Sequence, residues 1–377
     1  MEQCEVLIVG GGPAGATCAR VLAHWGISVL LMDRDEFPRD KPCAGWITPS
    51  VLETLRIDPA QYRKGRELQE IREFHTGVMF GRQNRYDFGT PVSYAIRRRE
   101  FDHYLLLHSK SRNILGEEVR SLERTPDGWL VNDRIRARLV VGAGGHHCPV
   151  ARILGAQPAR EQPIAAVVAE FELDPGEQAA FPLPPGHTSL SFLDDVRGYG
   201  WLVRKGAHLN VGLGVLGGTQ VRGRLDAYLE HLRRTGALPG TGPLPFKGHA
   251  YLPFRGVAGR RIVGDRALVI GDAAGLAYPE SGEGILPAVE SAILAAQTIL
   301  CASADYRPRW LEPYAAAVAE RFGGAGSAAG RMALPAPVQR LGTRLLLGTP
   351  WLTRHLVLDR WFLHREQRPL VPRALPE

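Results

Sequence analysis

Glycines near the start of the chain have the spacing of a turn that binds dinucleotide phosphates. An aliphatic run at 6–9 is followed by Gly10-Gly11-Gly12-Pro13-Ala14-Gly15, which has the form G-x-G-x-x-G. In such turns the first glycine makes the bend, the second lets backbone N–H groups approach a pyrophosphate, and the third allows close helix packing. The phosphates would lie at the N-terminus of the following helix. The sequence therefore predicts dinucleotide contacts from Gly10, Gly12, Pro13, Ala14 and Gly15.

A carboxylate stands where a ribose-binding acid is expected. The aliphatic run Val29–Met32 ends at Asp33, about 20 residues after the glycines, and its carboxylate can accept hydrogen bonds from ribose hydroxyls. A glycine turn alone can have a purely structural cause, so the interpretation depends on the strand, helix and acid together. We expect Asp33 and the adjacent Arg34 to contact the cofactor.

A second glycine cluster, near the other end of the chain, indicates which dinucleotide binds. A strand-like run at 267–270 leads into Gly271-Asp272-Ala273-Ala274-Gly275, and Gly282-Glu283-Gly284-Ile285 precedes a long alanine-rich helix. A helix N-terminus suits the pyrimidine edge of a reduced flavin, where negative charge collects. Alone, this segment could be only a tight turn. With the first motif it predicts FAD, contacted by Asp272, Gly282, Gly284 and Ile285.

Composition and charge favour a globular protein with a large core. The chain has 377 residues, of which 45% are hydrophobic and 23% charged, as in ordinary globular domains. This length allows two or three domains. The net charge of +7 is spread along the sequence, and no basic patch interleaved with aromatics indicates nucleic acid binding. We therefore predict no nucleic acid partner.

The cysteine pattern and the N-terminal sequence indicate the cellular compartment. The five cysteines are scattered and form no C-x-x-C pair, a pattern that predicts neither a disulfide framework nor a metal site. We see no basic, apolar leader of the secretory type and no apolar run of about 18 residues. The expectation is a cytoplasmic protein.

The elements that position these motifs predict an α/β protein with a discontinuous Rossmann-type FAD-binding domain. We assign residues 1–75, 95–160 and 259–305 to that domain, because its two glycine sites lie at opposite ends of the chain. Its predicted elements include helices over Pro49–Leu55 and Phe101–Ser109 and strands near 115–122, 129–131 and 137–141.

Residues 76–94 and 161–258 are predicted to form a mainly antiparallel substrate domain. Glu73–Phe80 and Arg85–Tyr94 resemble the arms of a hairpin. Further strand-like runs lie at 165–173, 188–193, 200–204 and 208–215, and one face of their sheet would form a substrate wall. Arg222–Arg234 has the pattern of an exposed amphipathic helix.

The C-terminal stretch 306–377 is predicted to be a helical cap. Its apolar residues are Leu341, Leu345, Leu346, Trp351, Leu352, Leu356, Val357, Trp361 and Phe362, and the arginines at 340, 344, 354, 360 and 365 are interleaved with them. A basic amphipathic helix rich in tryptophan can lie on a membrane. It can equally cover the core of its own protein. We favour the cap and keep peripheral membrane contact as the alternative.

Ordered blocks between the glycine sites carry a family resemblance. They are Lys41-Pro42-Cys43-Ala44-Gly45, Arg99-Glu100-Phe101-Asp102, Tyr199-Gly200-Trp201 and Asn210-Val211-Gly212-Leu213-Gly214. In this order, and together with both glycine sites, they resemble the geranylgeranyl reductase family, which shares the p-hydroxybenzoate hydroxylase fold. The resemblance implies flavin contacts from Lys41, Cys43, Ala44, Gly45, Arg99 and Gly144, and a substrate cavity lined by Tyr199 and Trp201.

Two positions depart from the family pattern. Gly144 stands where many members carry the aspartate of Gly-Ala-Asp-Gly, which leaves direct use of NADPH open, and Ala44 replaces a glycine. The resemblance places Cys43 near the flavin as a proton donor or a gate, although a cysteine there can also be a small apolar filler. Tyr199 and Trp201 can likewise be ordinary core residues, and His146 or His147 could approach the flavin.

The resemblance implies an FAD-dependent oxidoreductase. The leading hypothesis is reduction of carbon–carbon double bonds in a polyprenyl or similarly apolar, quinone-like substrate by hydride transfer from flavin N5. Electrons would come from NADPH or from a small electron carrier such as ferredoxin. The alternatives are a monooxygenase of the same fold and a flavin electron-transfer protein.

Overall fold

The computed structural model describes residues 1–158, 161–195, 197–218, 220–240, 242–256, 259–323 and 336–370. The strands are β1 (Glu2–Val9), β2 (Val29–Asp33), β3 (Trp46–Ile47), β4 (Leu68–Ile71), β5 (Glu73–Val78), β6 (Asn84–Asp87), β7 (Ser93–Ile96), β8 (Arg112–Leu115), β9 (Leu122–Thr125), β10 (Gly128–Val131), β11 (Ile135–Gly142), β12 (Ile164–Glu172), β13 (His187–Phe192), β14 (Gly198–Lys205), β15 (His208–Leu216), β16 (Lys247–Tyr251), β17 (Val263–Gly264) and β18 (Ala267–Val269).

The helices are α1 (Pro13–His24), α2 (Pro49–Leu55), α3 (Pro59–Tyr62), α4 (Arg98–Leu107), α5 (Pro149–Leu154), α6 (Pro175–Ala180), α7 (Val221–Arg234), α8 (Ile285–Cys301), α9 (Pro308–Phe322), α10 (Ala336–Gly348) and α11 (Pro350–Leu352). A π-helical segment, Thr353–Phe362, continues from α11. Among the described residues, no helix is long and apolar enough to cross a membrane.

The first sheet is built on a parallel core in the order β18-β11-β1-β2-β8. Val6, Leu7 and Ile8 of β1 are completely buried, because both faces of a parallel sheet are covered and its strands are therefore continuously apolar. Helices α1 and α8 belong to the same hydrophobic core. The carboxyl ends of β1, β2, β11 and β18 consequently open toward one edge of the sheet, where ligands bind in open α/β sheets.

The second sheet has the order β16-β12-β15-β14-β13-β5-β6 and is antiparallel except between β5 and β13. Alternation along β15 assigns its two faces. Leu209, Val211, Leu213 and Val215 pack in the cluster that contains buried residues of α7. The intervening Asn210, Gly212 and Gly214 therefore face the opposite side.

The C-terminal segment covers part of that opposite face. Leu347, Val357, Leu358 and Phe362 are buried in one cluster with Trp201 of β14. The predicted class, an α/β fold with a Rossmann-type FAD-binding portion, a mainly antiparallel sheet and C-terminal helices, is confirmed.

Several predicted elements need correction. The strand predicted near 115–122 is wrong, because β8 ends at Leu115 and Gly116 has a φ of +75°. The second hairpin arm ends at Asp87, and 93–96 instead pairs with β3 and β4 in a small third sheet. The helix expected over 101–109 begins three residues earlier, at Arg98.

Candidate active site

The turn between β1 and α1 has the geometry that its glycines predict. Gly10 has a φ of +114°, and a Cβ there would lie 2.4 Å from the carbonyl oxygen of Ala143. A Cβ at Gly15 would lie 1.8 Å from the carbonyl oxygen of Gly10. At Gly12 the nearest atom to such a Cβ would be a side-chain nitrogen of Arg39, 3.6 Å away. Gly10 and Gly15 are thus required by packing, whereas Gly12 keeps the space beside the N-terminus of α1 open.

Asp33 ends β2 beside this turn. Its carboxylate accepts hydrogen bonds from the backbone N–H of Gly11 at 2.6 Å and of Asp35 at 3.0 Å. These bonds fix the orientation of the carboxylate. Asp33 and Arg34 both line the cavity in front of the turn.

The second glycine cluster reaches the same cavity. Gly12 and Asp272 both line a single space of about 760 Å³. A Cβ at Gly284 would lie 2.8 Å from Oδ1 of Asp272, and one at Gly282 would lie 2.1 Å from the hydroxyl oxygen of Tyr251. The glycines at these two positions therefore allow the loop before α8 to close around Asp272 and Tyr251.

Most of the predicted site residues lie on this cavity. Those that line it are Gly10, Gly12, Pro13, Ala14, Asp33, Arg34, Lys41, Cys43, Ala44, Gly144, Tyr199, Trp201, Asp272, Gly282, Gly284 and Ile285. Gly15, Gly45 and Arg99 are not part of the lining. His147 lines the cavity and His146 does not.

Basic groups surround Asp272 on one side of the cavity. Nζ of Lys41 lies 3.2 Å from Nδ1 of His249, and Nε2 of His249 lies 4.0 Å from Oδ2 of Asp272. Burial, together with the nearby charges of Lys41 and Arg98, lowers the pKa of His249 to about 3, so the imidazole is neutral near pH 7. Burial raises the pKa of Asp272, while Lys41 and Arg98 oppose that shift.

A buried polar network fixes the loop that carries Cys43. Asn210 donates to the carbonyl oxygen of Cys43 at 2.9 Å and to Oε2 of Glu170 at 3.0 Å. Its own amide oxygen accepts a hydrogen bond from the indole of Trp201 at 2.8 Å. Lys205, which is fully buried, pairs with Glu170 at 2.5 Å. Each polar atom of Asn210 therefore has a partner, and the loop is tied to the second sheet.

The glycine at 45 is explained by the same network. Gly45 has a φ of +62°, and a Cβ there would lie 2.3 Å from both the carbonyl oxygen of Ile96 and Nζ of Lys205. The absence of a side chain at Gly45 therefore allows the loop to pack closely against Ile96 and Lys205. Ala44 is not among the residues with positive φ, so the local backbone accommodates its methyl group.

Of the neighbouring arginines 97–99, Arg98 lines the cavity and the predicted Arg99 does not. Arg98 donates to both oxygens of Asp102 at 2.7 Å, and Asp102 is completely buried. Burial disfavours the charged guanidinium, but Asp102 and Cys43 outweigh it and hold the pKa of Arg98 above its usual value. The side chain of Arg99 is 46% exposed and lies 3.7 Å from Asp40. Because α4 begins at Arg98, Arg99 points outward.

Aromatic rings form the remaining wall of the cavity. Tyr199 donates a hydrogen bond from its hydroxyl to the carbonyl oxygen of Ser281, in the loop that precedes α8. Its ring centroid lies 5.9 Å from that of Trp201 and 5.2 Å from that of Phe362. Phe362 also stacks on Trp46 at 5.3 Å. The C-terminal segment thus buttresses the aromatic wall.

Away from the cavity, a charged cluster lies on β5 and β13. Glu73 accepts from His75 at 2.7 Å, lies 2.7 Å from Nδ1 of His187, and accepts from Arg85 at 2.6 Å. These side chains include a set of potential metal ligands. Because Arg85 already compensates the charge of the Glu73 carboxylate, the cluster has a sufficient explanation as an ion-pair network.

Comparisons with known proteins agree with this geometry. A family model described as "FAD binding domain" matches residues 3–178. Digeranylgeranylglycerophospholipid reductase 1 of Methanothermobacter thermautotrophicus is 28% identical over 340 residues, covering 86% of this chain and 84% of that protein. Menaquinone reductase of Mycobacterium tuberculosis is 29% identical over 358 residues, covering 88% and 84%. The chain is an FAD-dependent oxidoreductase that resembles these two reductases over most of its length.

A solved structure has the same fold as this chain. The geranylgeranyl bacteriochlorophyll reductase-like protein of Thermoplasma acidophilum superposes with a TM-score of 0.74 at 22% identity. The match covers 97% of this chain and 98% of that one. The shared architecture therefore includes both sheets.

The cavity fits FAD, the cofactor of this chain. The open side of Gly12 leaves room for a pyrophosphate at the N-terminus of α1, where backbone N–H groups favour an anion. Asp33 and Asp272 offer carboxylate acceptors at the two ends of the cavity. We propose that Gly12, Asp33, Lys41 and Asp272 contact the bound cofactor.

The polar residues of the cavity lining that sequence reasoning missed include Arg98, His249 and Tyr251. His249 and Tyr251 are two residues apart on β16, so their side chains lie on the same face of the strand, toward the cavity. Their ring centroids are 5.8 Å apart in a stacked arrangement. Burial raises the pKa of Tyr251 well above its usual value, so its hydroxyl keeps its proton. No local pattern of the sequence indicated these two positions, because they depend on the pairing of β16 with β12.

Replacing Arg98 by methionine is expected to lower the free energy of unfolding by about 3 kcal/mol, because it removes the main partner of a buried carboxylate. Arg39, whose guanidinium lies 3.3 Å from Asp102, limits the loss. The matched control is Arg99→Met, which breaks only an exposed pair and should cost less than about 1 kcal/mol. Denaturant unfolding of both apoproteins measures the difference, and equal stabilities would contradict the assignment.

Proposed function

We propose that this flavoprotein reduces carbon–carbon double bonds of a polyprenyl chain or a similarly apolar substrate. The observation that carries the proposal is that one cavity of about 760 Å³ joins the two glycine corners to an apolar wall. That wall contains Trp46, Ala166, Val168, Tyr199 and Trp201. Each methylene group buried against such a surface contributes about 0.8 kcal/mol, so a long hydrocarbon chain would gain most from it.

The names of the relatives support an apolar substrate. They are a reductase of a digeranylgeranylglycerophospholipid and a menaquinone reductase. Both names refer to an apolar substrate, either a lipid or a quinone, and we propose an apolar substrate for this chain as well. Experiment must decide between a lipid and a quinone.

The residues of the chain position the substrate and donate a proton to it. When bound, reduced FAD supplies a hydride at N5. An isolated alkene has no carbonyl group to stabilise charge, so a proton must reach the other carbon as the hydride arrives. We propose that Sγ of Cys43 gives this proton and that the guanidinium of Arg98, which interacts with Cys43, stabilises the thiolate left behind. The apolar wall excludes water from the reacting carbons.

We also propose that the protein contacts the membrane that holds its substrate.

Electrons would reach the flavin from NADPH or a small electron carrier such as ferredoxin. Arg34 lines the cavity, and its side chain is 62% exposed. Such a basic group at the opening favours an anionic donor by electrostatic attraction.

The decisive experiment mixes anaerobically photoreduced holoprotein with a detergent-solubilised geranylgeranyl lipid, which carries no quinone ring that could itself oxidise the flavin. We expect the oxidised flavin spectrum to return only when the alkene is present. Mass spectrometry should find two added hydrogens for each double bond that is reduced.

Other outcomes separate the alternatives. If admission of oxygen produces a C4a-adduct absorbance and oxygen appears in the product, the protein is a monooxygenase. If the reduced flavin persists with every prenyl compound but transfers electrons to a carrier protein, it is an electron-transfer protein. Either result would overturn the proposed function.

A further inference from the structure

Helix α10 has two apolar faces, and only one of them is packed. Thr343 and Leu347 are buried at 2% exposure each. Val338, Leu341 and Leu345 are 48%, 60% and 59% exposed. At about 100° per residue, these three side chains fall within an arc of roughly 60° on the side opposite Leu347. A helix that only capped the core would carry polar residues there.

The exposed stripe continues past the end of α10. Trp351, in the short helix α11, is 66% exposed, the second largest exposure among the large hydrophobic residues of the described chain after Met1. We call Val338, Leu341, Leu345 and Trp351 the outer face. The predicted apolar set of the C-terminal stretch is therefore divided between the core cluster, which includes Leu347 and Phe362, and this outer face.

The segment that carries the outer face has a net positive charge, although Arg340 lies 3.4 Å from Asp194 and Arg360 lies 4.0 Å from Glu366. Between residues 336 and 362 the chain has four arginines, at 340, 344, 354 and 360, and a single acid, Asp359. Arg344 is exposed on α10, and the side chain of Arg360 is 58% exposed. Exposed tryptophan and leucine flanked by arginine match the interface of a bilayer, where apolar side chains enter the acyl boundary and cations attract anionic headgroups.

We infer that the outer face docks on the surface of a bilayer that contains anionic phospholipid. The inference depends on the proposed function, which places an apolar substrate in the membrane. The same segment continues to Phe362, whose ring stacks on Trp46 of the cavity wall. Docking would therefore hold this side of the substrate cavity close to the membrane without any helix crossing it.

The test is cosedimentation of the full-length holoprotein with vesicles. We expect binding to vesicles of phosphatidylglycerol and phosphatidylcholine, weaker binding to phosphatidylcholine alone, and loss of binding as salt is raised. Leu341→Ser combined with Leu345→Ser should lower the partition coefficient by roughly tenfold or more. Leu107→Ser is the matched control, since Leu107 is 62% exposed on α4, and it should bind as the parent protein does.

A second measurement reports on Trp351 directly. Brominated phospholipids in the anionic vesicles should quench part of the tryptophan fluorescence of the parent protein and less of that of Trp351→Phe. Equal quenching in the two proteins would overturn the inference.

The remaining outcomes assign the outer face to another occupant and also overturn the inference. Loss of a dimer in the double serine variant would identify a second copy of the chain. A fall in its thermal stability with unchanged vesicle binding would identify intramolecular packing. Reduction of a detergent-solubilised substrate is measured in parallel, because the serine variants should retain it. If the parent protein binds vesicles but reduces no such substrate, the proposed function fails and docking does not.

Discussion

Replacing Gly12 by valine is expected to give a folded protein that binds FAD at least roughly 100-fold more weakly, a difference of about 2.8 kcal/mol. Gly12 has ordinary extended backbone angles, and a Cβ there would lie 3.6 Å from the nearest protein atom, a side-chain nitrogen of Arg39. The valine would therefore fold without strain. Its methyl groups would occupy the space through which backbone N–H groups approach a pyrophosphate.

Flavin fluorescence titration of the apoprotein measures this loss, and circular dichroism reports on folding. Gly223→Val is the control, because a Cβ at Gly223 meets nothing within 4 Å and lies on α7, away from the cavity. Gly15→Val should instead fail to fold, since its Cβ would overlap the carbonyl oxygen of Gly10. Purification of Gly12→Val with stoichiometric FAD would refute the proposed cofactor position.

The sequence predicted those parts of the site that depend on local patterns. A strand, a glycine turn and a helix N-terminus are encoded within about 20 neighbouring residues, and both glycine clusters were found in this way. Their meeting at one cavity followed from the rule that ligands lie at the carboxyl ends of parallel strands. Gly12 and Asp272 line that common cavity.

Residues whose position depends on distant partners could not be predicted. His249 and Tyr251 reach the cavity because β16 pairs with β12 at the edge of the second sheet, and no local pattern encodes that pairing. The family resemblance implied Arg99, whereas the residue that lines the cavity is its neighbour Arg98. Since each helical residue rotates the side-chain direction by about 100°, an error of one residue exchanges an inward arginine for an outward one.

Composition also could not predict which apolar residues of the C-terminal stretch are buried and which are exposed. Its apolar residues were considered as one set, either a cap or a membrane surface. The structure buries Val357, Leu358 and Phe362 against the second sheet and leaves Leu341, Leu345 and Trp351 exposed. The helix period alone cannot predict which side of the helix is buried, because both sides are apolar enough to pack.

Replacing Cys43 by alanine is expected to slow alkene-dependent reoxidation of the reduced flavin by about 100-fold, the lower range for loss of a positioned general acid. FAD affinity and protein stability should change little. The reason is that alanine preserves the small volume at this position and leaves the carbonyl oxygen of Cys43, the group held by Asn210, in place. Stopped-flow absorbance of the anaerobically reduced variant, mixed with substrate, measures the rate.

The control is Cys301→Ala, because Cys301 is exposed at the end of α8 and is not part of the cavity lining. It should react at the parental rate. Cys43→Ser retains an O–H donor and should fall between the parent protein and the alanine variant.

The rate of Cys43→Ala and its rescue by small thiols separate proton donation from packing at Cys43. In the parent protein the reoxidation rate should fall in D₂O, because the proton from Sγ moves as the new C–H bonds form. In Cys43→Ala, protonation would depend on a poorly placed water, so the slower rate should remain strongly sensitive to D₂O while added small thiols partly restore it. An alanine variant that reacts at the parental rate, with an unchanged isotope effect, would leave Cys43 as a packing residue and direct attention to the hydroxyl of Tyr251, which burial keeps protonated. The two donors are thus distinguished by the same measurement on Cys43→Ala and Tyr251→Phe, because only removal of the true donor should cost about 100-fold.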